Sequence, residues 1–437
     1  MNCPWSNIND KLSKKEILNT EIIDFQTYIA PTEKEKRGRD KLLLAIEELI
    51  KEEYPSAKLE CFGSVATGLL LPGSDIDVTI NLKKPAASNV EVLRKLNRQI
   101  CRKRLFYYSE LSFVPWAKVP VLTINSQQYI TSIDITVNNP SPSSDRTINW
   151  KKDYPELTPL YLVLKHALLS IIYPLDGFQV MSSKLNGLAS FSLVCLIMHY
   201  ILYQKKDDLT PSSSTYYADL LLGFLDFYSN FDYNRKGFQF DKDEPYISKK
   251  STPKLLINDP DLPKINVGRS TSMIEETKEC FAFLLERLLK NINDTSANDQ
   301  KSVLSAIIKV EKKSNQKSRL EGRDYEIYPL IISKDRPMEE IQNHKRKRSR
   351  EDENENRNDK YNKKQKGNNY GNRMESNGNY NKKSKNYKSR DGDNHKYKQK
   401  DDDKYKRKDS HHFHYGNDYN KKRKRVNKSK KQHFHFD

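Results

Sequence analysis

The chain has 437 residues, with 77 Lys+Arg against 58 Asp+Glu and a net charge of +19. The charge is uneven: residues 341–437 hold 31 Lys+Arg and 14 Asp+Glu, net +17, which leaves 46 and 44, net +2, for residues 1–340. Leu330 is the last leucine, and after residue 340 the aliphatics are Ile341, Met374 and Val426; such a segment cannot offset the entropy of ordering, so a 437-residue globular body is excluded and residues 336–437 read as a disordered basic tail.

In chain order, residues 1–30 form an N-terminal segment with a helix expected over Lys14–Tyr28. Thr32 followed by Glu35 is a capping box. It opens a helix that runs to Tyr54, with Leu42, Leu43, Ile46, Leu49 and Ile50 on one face and Pro55 at its end. Leu59–Phe62 is a short apolar strand. Ser74–Ile80 alternates, with Asp75, Asp77 and Thr79 on one face and Ile76, Val78 and Ile80 on the other. Val90–Arg104 is helical and Val119–Ile124 is a strand. Ile130–Val137 alternates again, with Ser132, Asp134 and Thr136 opposite Ile133, Ile135 and Val137. The run Pro140–Ser144 marks a change of character. Beyond it Thr158–Ile171, Leu188–Tyr203, Tyr216–Tyr228 and Ile274–Leu289 read as helices, residues 290–320 as a polar loop or poorly packed helix, and Tyr325–Ser333 as the last apolar stretch. The expected architecture is α+β: a small mixed-sheet domain over residues 31–150, packed on a helical domain over 151–335.

The five cysteines have no CxxC pairing or zinc-ligand spacing, which fits reduced thiols. The opening MNCPWSNIND lacks the basic and apolar regions of a signal peptide. The longest apolar stretch is too short to span a bilayer and is interrupted by Ser190, Ser192 and His199. A soluble intracellular protein without a membrane partner is expected.

Three carboxylates carry the chemistry. Asp75 and Asp77, two apart on a strand, project from one face, and Asp134 sits on a second strand among apolar neighbours. Strands disfavour Asp, and three converging carboxylates repel one another unless a cation lies between them. Oxygen ligands of this kind suit Mg2+ or Mn2+. From spacing alone, a solvated sheet face accounts for the three equally well. Phe62-Gly63-Ser64 precedes the pair by ten residues. Gly63 permits close backbone approach to an anion, and Ser64 offers an N–H and a hydroxyl.

FGSVATGLLLPGSDIDVTI followed by YITSIDITVNN resembles the DNA polymerase β-type nucleotidyltransferase superfamily. More narrowly, AKVPVLTI, PLYLVLKHAL, NGLASFSLVCLIMHYIL, LLLGFLDFYSNFDY and INDPDLPKINVGRS are similar, in the same order, to poly(A) polymerases of the nuclear RNA-surveillance (TRAMP) type and to terminal uridylyltransferases. The likeness covers roughly residues 35–290. It implies a polymerase β-like catalytic domain, a helical PAP-associated domain, and transfer of a nucleotide from an NTP to an RNA 3′ end with two Mg2+ or Mn2+ ions. Asp75 and Asp77 would hold both ions and Asp134 would complete one of them. Gly63, Ser64, Lys165 and Ser190 match positions at the phosphates, Asn139 one near the ribose, and Phe191 an aromatic that stacks on the base. Leu169 stands where many relatives carry a second basic residue. Asn258-Asp259-Pro260 and Asn266-Val267-Gly268-Arg269 resemble the nucleotide-recognition loop, in which Asn266 and Arg269 are candidate contacts. Some uridylyl-transferring relatives use a histidine near this region. None occurs here between His199 and His344, which favours ATP as substrate; uridylyl transfer is the alternative within the class, and a catalytically silent RNA-binding scaffold the alternative outside it.

Eight tyrosines alternate with Lys and Arg in the tail, a composition that can neutralise phosphates and stack on single-stranded bases; a solubilising extension is the other reading. Lys345-Arg346-Lys347-Arg348 and Lys421-Lys422-Arg423-Lys424-Arg425 look like nuclear-import clusters, so the nucleus, the nucleolus included, is the expected location. The body shows no RNA-binding module of its own. The resemblance implies a zinc-knuckle RNA-binding subunit and an RNA helicase as partners.

Overall fold

The computed structural model describes residues 3–5, 11–83, 88–103, 110–126, 131–205, 209–241, 243–249, 254–294, 302–309 and 329–332. The basic tail with its tyrosines and import-like clusters, most of the polar stretch 295–328 and the start of the last apolar stretch lie outside them.

A five-stranded mixed sheet carries the first half of the chain. Its strands are β1 (Lys58–Phe62), β2 (Ile76–Asn81), β3 (Glu110–Val114), β4 (Val121–Ser126) and β5 (Thr131–Val137), in the order β1-β2-β5-β4-β3. β2 and β5 are parallel and the other neighbours antiparallel. The alternation seen in the sequence sets the two faces. Ile76, Val78, Ile80, Leu122, Ile124, Ile133, Ile135 and Val137 are buried in one core, together with Leu42, Ile46, Leu49 and Ile50 of α2 (Glu33–Glu53) and Val92, Leu93, Leu96 and Ile100 of α4 (Asn89–Lys103). The other face presents Asp77, Thr79, Thr123, Asp134 and Thr136. The Thr32–Glu35 capping box opens α2, with Glu35 N–H donating to Thr32 Oγ1 at 3.2 Å and Thr32 N–H donating to Glu35 Oε2 at 2.6 Å.

A second core gathers the remaining helices. α6 (Leu157–Leu169), α7 (Ser190–Tyr203), α8 (Tyr216–Asn230) and α9 (Ile274–Asn293) follow the expected order. α1 (Lys14–Ile29) joins them: Leu18, Ile22, Phe25 and Ile29 are fully buried against the helical core rather than against the sheet. Val303, Leu304, Ile307 and Ile308 also lie in this core, so part of the polar stretch expected to be a loop supplies apolar packing. Leu330–Ile331 forms a short strand (β9) parallel to Ile171–Ile172 (β6). A small ribbon of Lys236–Phe238 (β7) and Tyr246–Ser248 (β8) completes the described strands.

Two helices bridge the five-stranded sheet to the second core, and neither was expected from the sequence. α3 (Gly63–Thr67) is a single turn directly after β1, and α5 (Pro142–Asp153) begins where a break was expected. α5 starts with Pro at its first position, where the missing N–H costs nothing. Its buried face is Ser144, Thr147 and Trp150, a polar and aromatic stripe that no apolar periodicity announces. Among the described residues no helix is long and apolar enough to cross a membrane.

Candidate active site

Parallel pairing of β2 and β5 sets Asp77 directly beside Asp134. Asp75 lies one residue before β2 begins, not within it as the alternation suggested, and it is exposed. Its carboxylate accepts from the Ser132 hydroxyl of β5, so the neighbouring strand also reaches the first carboxylate. Asp134 Oδ1 accepts from Thr123 Oγ1 at 2.6 Å, from the β4 residue paired with it. Burial, then the Asp134 and Asp75 charges, push the Asp77 carboxyl up to about 6, while Lys165 acts in the opposite sense.

The turn before this face is shaped by glycine. Gly63 has φ +64°, and a Cβ there would lie 2.3 Å from Asp77 Oδ2. α5 braces the turn at both ends. Gly63 N–H donates to Ser144 Oγ at 2.8 Å, and Lys151 donates its ammonium to the Thr67 carbonyl, the last of α3. Ser144 Oγ in turn lies 2.9 Å from Ser141 Oγ.

A cavity of about 500 Å3 opens between this turn, α5, α6 and α7. Gly63, Ser64, Asp75, Asp77, Lys165, Ser190 and Phe191 line it together. Lys165 is the one cationic side chain among the described lining residues, its Nζ 5.4 Å from the Tyr161 ring. Leu169, one turn on, adds apolar wall. Phe191 stacks on Trp150 with centroids 6.5 Å apart and an interplanar angle of 22°, which leaves its other face towards the cavity.

Four expected site residues lie apart from the described lining: Asp134, beside Asp77 on the next strand, and Asn139, Asn266 and Arg269. Asn139 is held by its own N–H donating to Thr79 Oγ1 at 3.0 Å. Asn266 has its amide engaged by the loop backbone: Oδ1 accepts from Ile257 N–H at 3.0 Å and Gly268 N–H at 2.8 Å, and Nδ2 donates to the Leu255 carbonyl at 3.0 Å. It braces the loop. Arg269 is exposed. Conversely, Thr123, Ser132, Ser144 and Lys151 carry site geometry that the sequence reading passed over. Ser132 and Asp134 on one strand face were visible as a pattern, whereas the Thr123 pairing needs the strand register.

The oxygen donors fit a hard divalent cation. Among the described residues no three His, Cys, Asp or Glu side chains form a ready metal cluster; Mg2+ is usually held by one or two carboxylates plus substrate phosphates rather than by an all-protein cage.

Residues 18–143 match the family model described as "Poly(A) RNA polymerase, mitochondrial-like, central palm domain". A solved structure of the polymerase core of TRAMP, an RNA surveillance complex, superposes with a TM-score of 0.62 at 26% identity, covering 71% of this chain and 100% of that one. Poly(A) RNA polymerase protein 1 of Eremothecium gossypii is 29% identical over 331 residues, 70% of this chain and 51% of that protein. A Drosophila melanogaster relative named as an inactive poly(A) RNA polymerase, Trf4-2, is 26% identical over 308 residues, 67% of this chain and 74% of that protein. The chain spans about half the length of the fungal relatives it matches. The polymerase β-like sheet with a helical partner is therefore the fold of a nucleotidyltransferase core.

Proposed function

We propose that this chain, a homologue of the poly(A) RNA polymerases built on the TRAMP-type polymerase core, adds adenylates from ATP to RNA 3′ ends without a template. The observation that carries this reading is one cavity lined by Asp75, Asp77, the Gly63-Ser64 turn, Lys165 and Phe191, with Asp134 set beside Asp77 on the neighbouring strand. A silent scaffold has no need to hold three carboxylates in repulsion.

Mg2+ or Mn2+ held by Asp75, Asp77 and Asp134 would supply charge neutralisation at the reacting phosphate and acidify the attacking hydroxyl. The rest falls to side chains of the chain itself. Gly63, without a Cβ, lets the triphosphate approach the backbone and Ser64 offers its hydroxyl, with Lys165 and Ser190 as further charged and hydroxyl contacts. Phe191, backed by Trp150, offers the base a platform; stacking of this kind contributes about 1–3 kcal/mol per base and tolerates any base. No nucleophilic side chain is required, since positioning and electrostatics carry phosphoryl transfer. Residues 31–150 act as the catalytic domain and 151–335 as the domain that closes the nucleotide site. The tail attracts RNA and directs the protein to the nucleus, where a zinc-knuckle subunit and a helicase would complete a surveillance assembly.

The test is extension of an oligo(A) RNA primer by the full chain with each NTP supplied alone. ATP incorporation that disappears in the Asp75→Asn/Asp77→Asn double variant, with RNA binding retained, supports the reading. Faster incorporation from UTP moves the assignment to uridylyl transfer, and no incorporation from any NTP leaves an RNA-binding scaffold.

A further inference from the structure

The loop of residues 258–268 stands beside the aromatic wall of the cavity and is tied to it from two sides. On one side Ser192, next to Phe191 in α7, donates its hydroxyl to the Val267 carbonyl at 2.8 Å. On the other, Arg146 of α5 forms a two-pronged ion pair with Asp261, with Nε donating to Oδ2 at 2.9 Å and Nη2 to Oδ1. The same guanidinium lies 5.7 Å from the Trp150 ring, and Trp150 backs Phe191. One side chain therefore touches both the tip of the loop and the support of the aromatic platform.

The loop itself is a preformed body. Asp259 Oδ1 accepts from the Asp261 and Leu262 N–H groups at 2.9 and 3.0 Å, and Asn266 closes the base of the loop. At that base Asn258 N–H donates to the Phe238 carbonyl at 2.9 Å. What remains to be fixed is the angle of this body against α5, and in the described structure the Arg146–Asp261 pair makes that contact.

We propose that Arg146 is a positioning residue for nucleotide choice: through Asp261 it holds the 258–268 loop at the base end of the cavity. This rests on the adenylyl-transfer reading above. An aromatic face stacks on any base, so discrimination requires polar groups fixed beside it. The loop, rich in backbone and side-chain polar groups, lies outside the described lining and is docked on the α7 turn that carries Phe191, through Ser192 and Val267. Arg is suited to the role because its planar fork fixes direction as well as charge. Both partners are about one-third exposed, at 34% each, so the pair adds little to global stability. Its effect is on the orientation of one loop.

The experiment compares full-length wild type with Arg146→Ala, Asp261→Asn and the combined variant. Each is measured by primer extension with the four NTPs singly and by titration with fluorescent ATP and UTP analogues, which needs no chemistry. Each single variant is expected to lower the preference for ATP by about tenfold, within the range of pairwise couplings between contacting residues. The loss should fall on KM, with kcat for ATP within about twofold of wild type. The combined variant should match the singles, because both remove one interaction. Arg146→Lys should recover only part of the preference. Unchanged preference, an equal loss for all nucleotides, or a combined loss equal to the product of the singles overturns the proposal, as does a wild type that binds the two analogues alike. A wild type that fails to extend RNA with any NTP instead overturns the adenylyl-transfer reading, and the titration still reports whether the pair sets nucleotide choice.

Discussion

Gly63 and Asp77 are packed so closely that a Cβ at residue 63 would lie 2.3 Å from Asp77 Oδ2. The phosphate-side turn and the central carboxylate therefore cannot be varied independently. Gly63→Ala meets two penalties. Its φ of +64° belongs to the left-handed region, which costs a side chain about 1–2 kcal/mol. The methyl also displaces the Asp77 carboxylate, and a misplacement of about 1 Å costs about 100-fold in rate. The variant is expected to unfold cooperatively at a slightly lower temperature and to lose primer extension by about 100-fold. Extension at the wild-type rate would show that the turn yields freely and that the contact is not part of the site.

Thr123 and Asp134 give a milder prediction. Thr123 lies on the neighbouring strand and donates to Asp134 Oδ1 at 2.6 Å. Groups that orient metal-binding carboxylates typically contribute about 10–100-fold to activity or metal affinity. Thr123→Val keeps the strand-favouring shape and removes the donor. A rise of about tenfold in the Mg2+ concentration needed for half-maximal extension is expected, with Thr123→Ser close to wild type. If Val and Ser behave alike, the hydroxyl does not serve the carboxylate.

Part of this site is legible in the sequence because alternation on β2 and β5 fixes which face Asp77 and Asp134 take, whereas Asp75 precedes β2. The register that pairs Asp77 with Asp134 is not, since it depends on strands far apart in the chain. α5 was invisible for a different reason. Its inward stripe of Ser144, Thr147 and Trp150 carries little apolar signal, because two of its three residues face a polar turn and the cavity and Trp150 alone enters the helical core. The α1 helix was readable from its pattern, but no local feature says that its apolar face belongs with α6 and α8 across some 130 intervening residues. Asn266 has a structural part that the sequence does not announce. Its place in a nucleotide-loop pattern suggested a contact, whereas its amide is spent on three backbone groups of the loop itself.

Asp77 also sets a pH dependence. Its carboxyl is raised from 3.8 to about 6 by burial and by Asp134 and Asp75. Between about pH 4 and 6 the metal-free native state holds a proton that the unfolded chain has released, so this group makes stability fall as pH rises through that window. A divalent cation must displace the proton, so its binding weakens as pH drops below about 6. Added Mg2+ should raise the melting temperature clearly at about pH 7.5 and little at about pH 5. Asp77→Asn should flatten that difference, and equal Mg2+ shifts at both pH values in the wild type would contradict it.

Two buried histidines act in the opposite sense. Burial lowers His166 to about 3 and His199 to about 4, from 6.5. Below about pH 6.5 the unfolded chain takes up protons that the native state refuses, so stability contributed by these rings is lost as pH falls towards 4. His199 Nε2 lies 2.9 Å from the Pro245 carbonyl, which a neutral ring with Nε2–H satisfies. His199→Gln can donate to the same carbonyl and does not titrate. It should melt lower at neutral pH but lose less on acidification than the wild type. An acid-induced drop as steep as that of the wild type would mean that His199 is not held neutral.

The charge asymmetry leads to the last prediction. Residues 341–437 carry net +17 while residues 1–340 carry +2, and Lys165 is the one cation among the described residues lining the cavity. On the proposed function such a site would grip a triphosphate and the terminal nucleotide, while its single cation would offer little attraction for the RNA upstream. Each phosphate neutralised by Lys or Arg on a single strand contributes about 0.7 to the slope of log affinity against log salt. Truncation after Met338 should therefore weaken binding of a single-stranded RNA at low salt and flatten that slope by several times this amount. At high salt, where released counterions no longer favour binding, the two proteins should converge. The rate of extension at saturating primer should change little, because the truncation removes attraction and leaves the carboxylate face intact. A slope that stays the same after truncation would assign the upstream RNA contacts to the folded body and leave the tail as a solubilising or addressing segment.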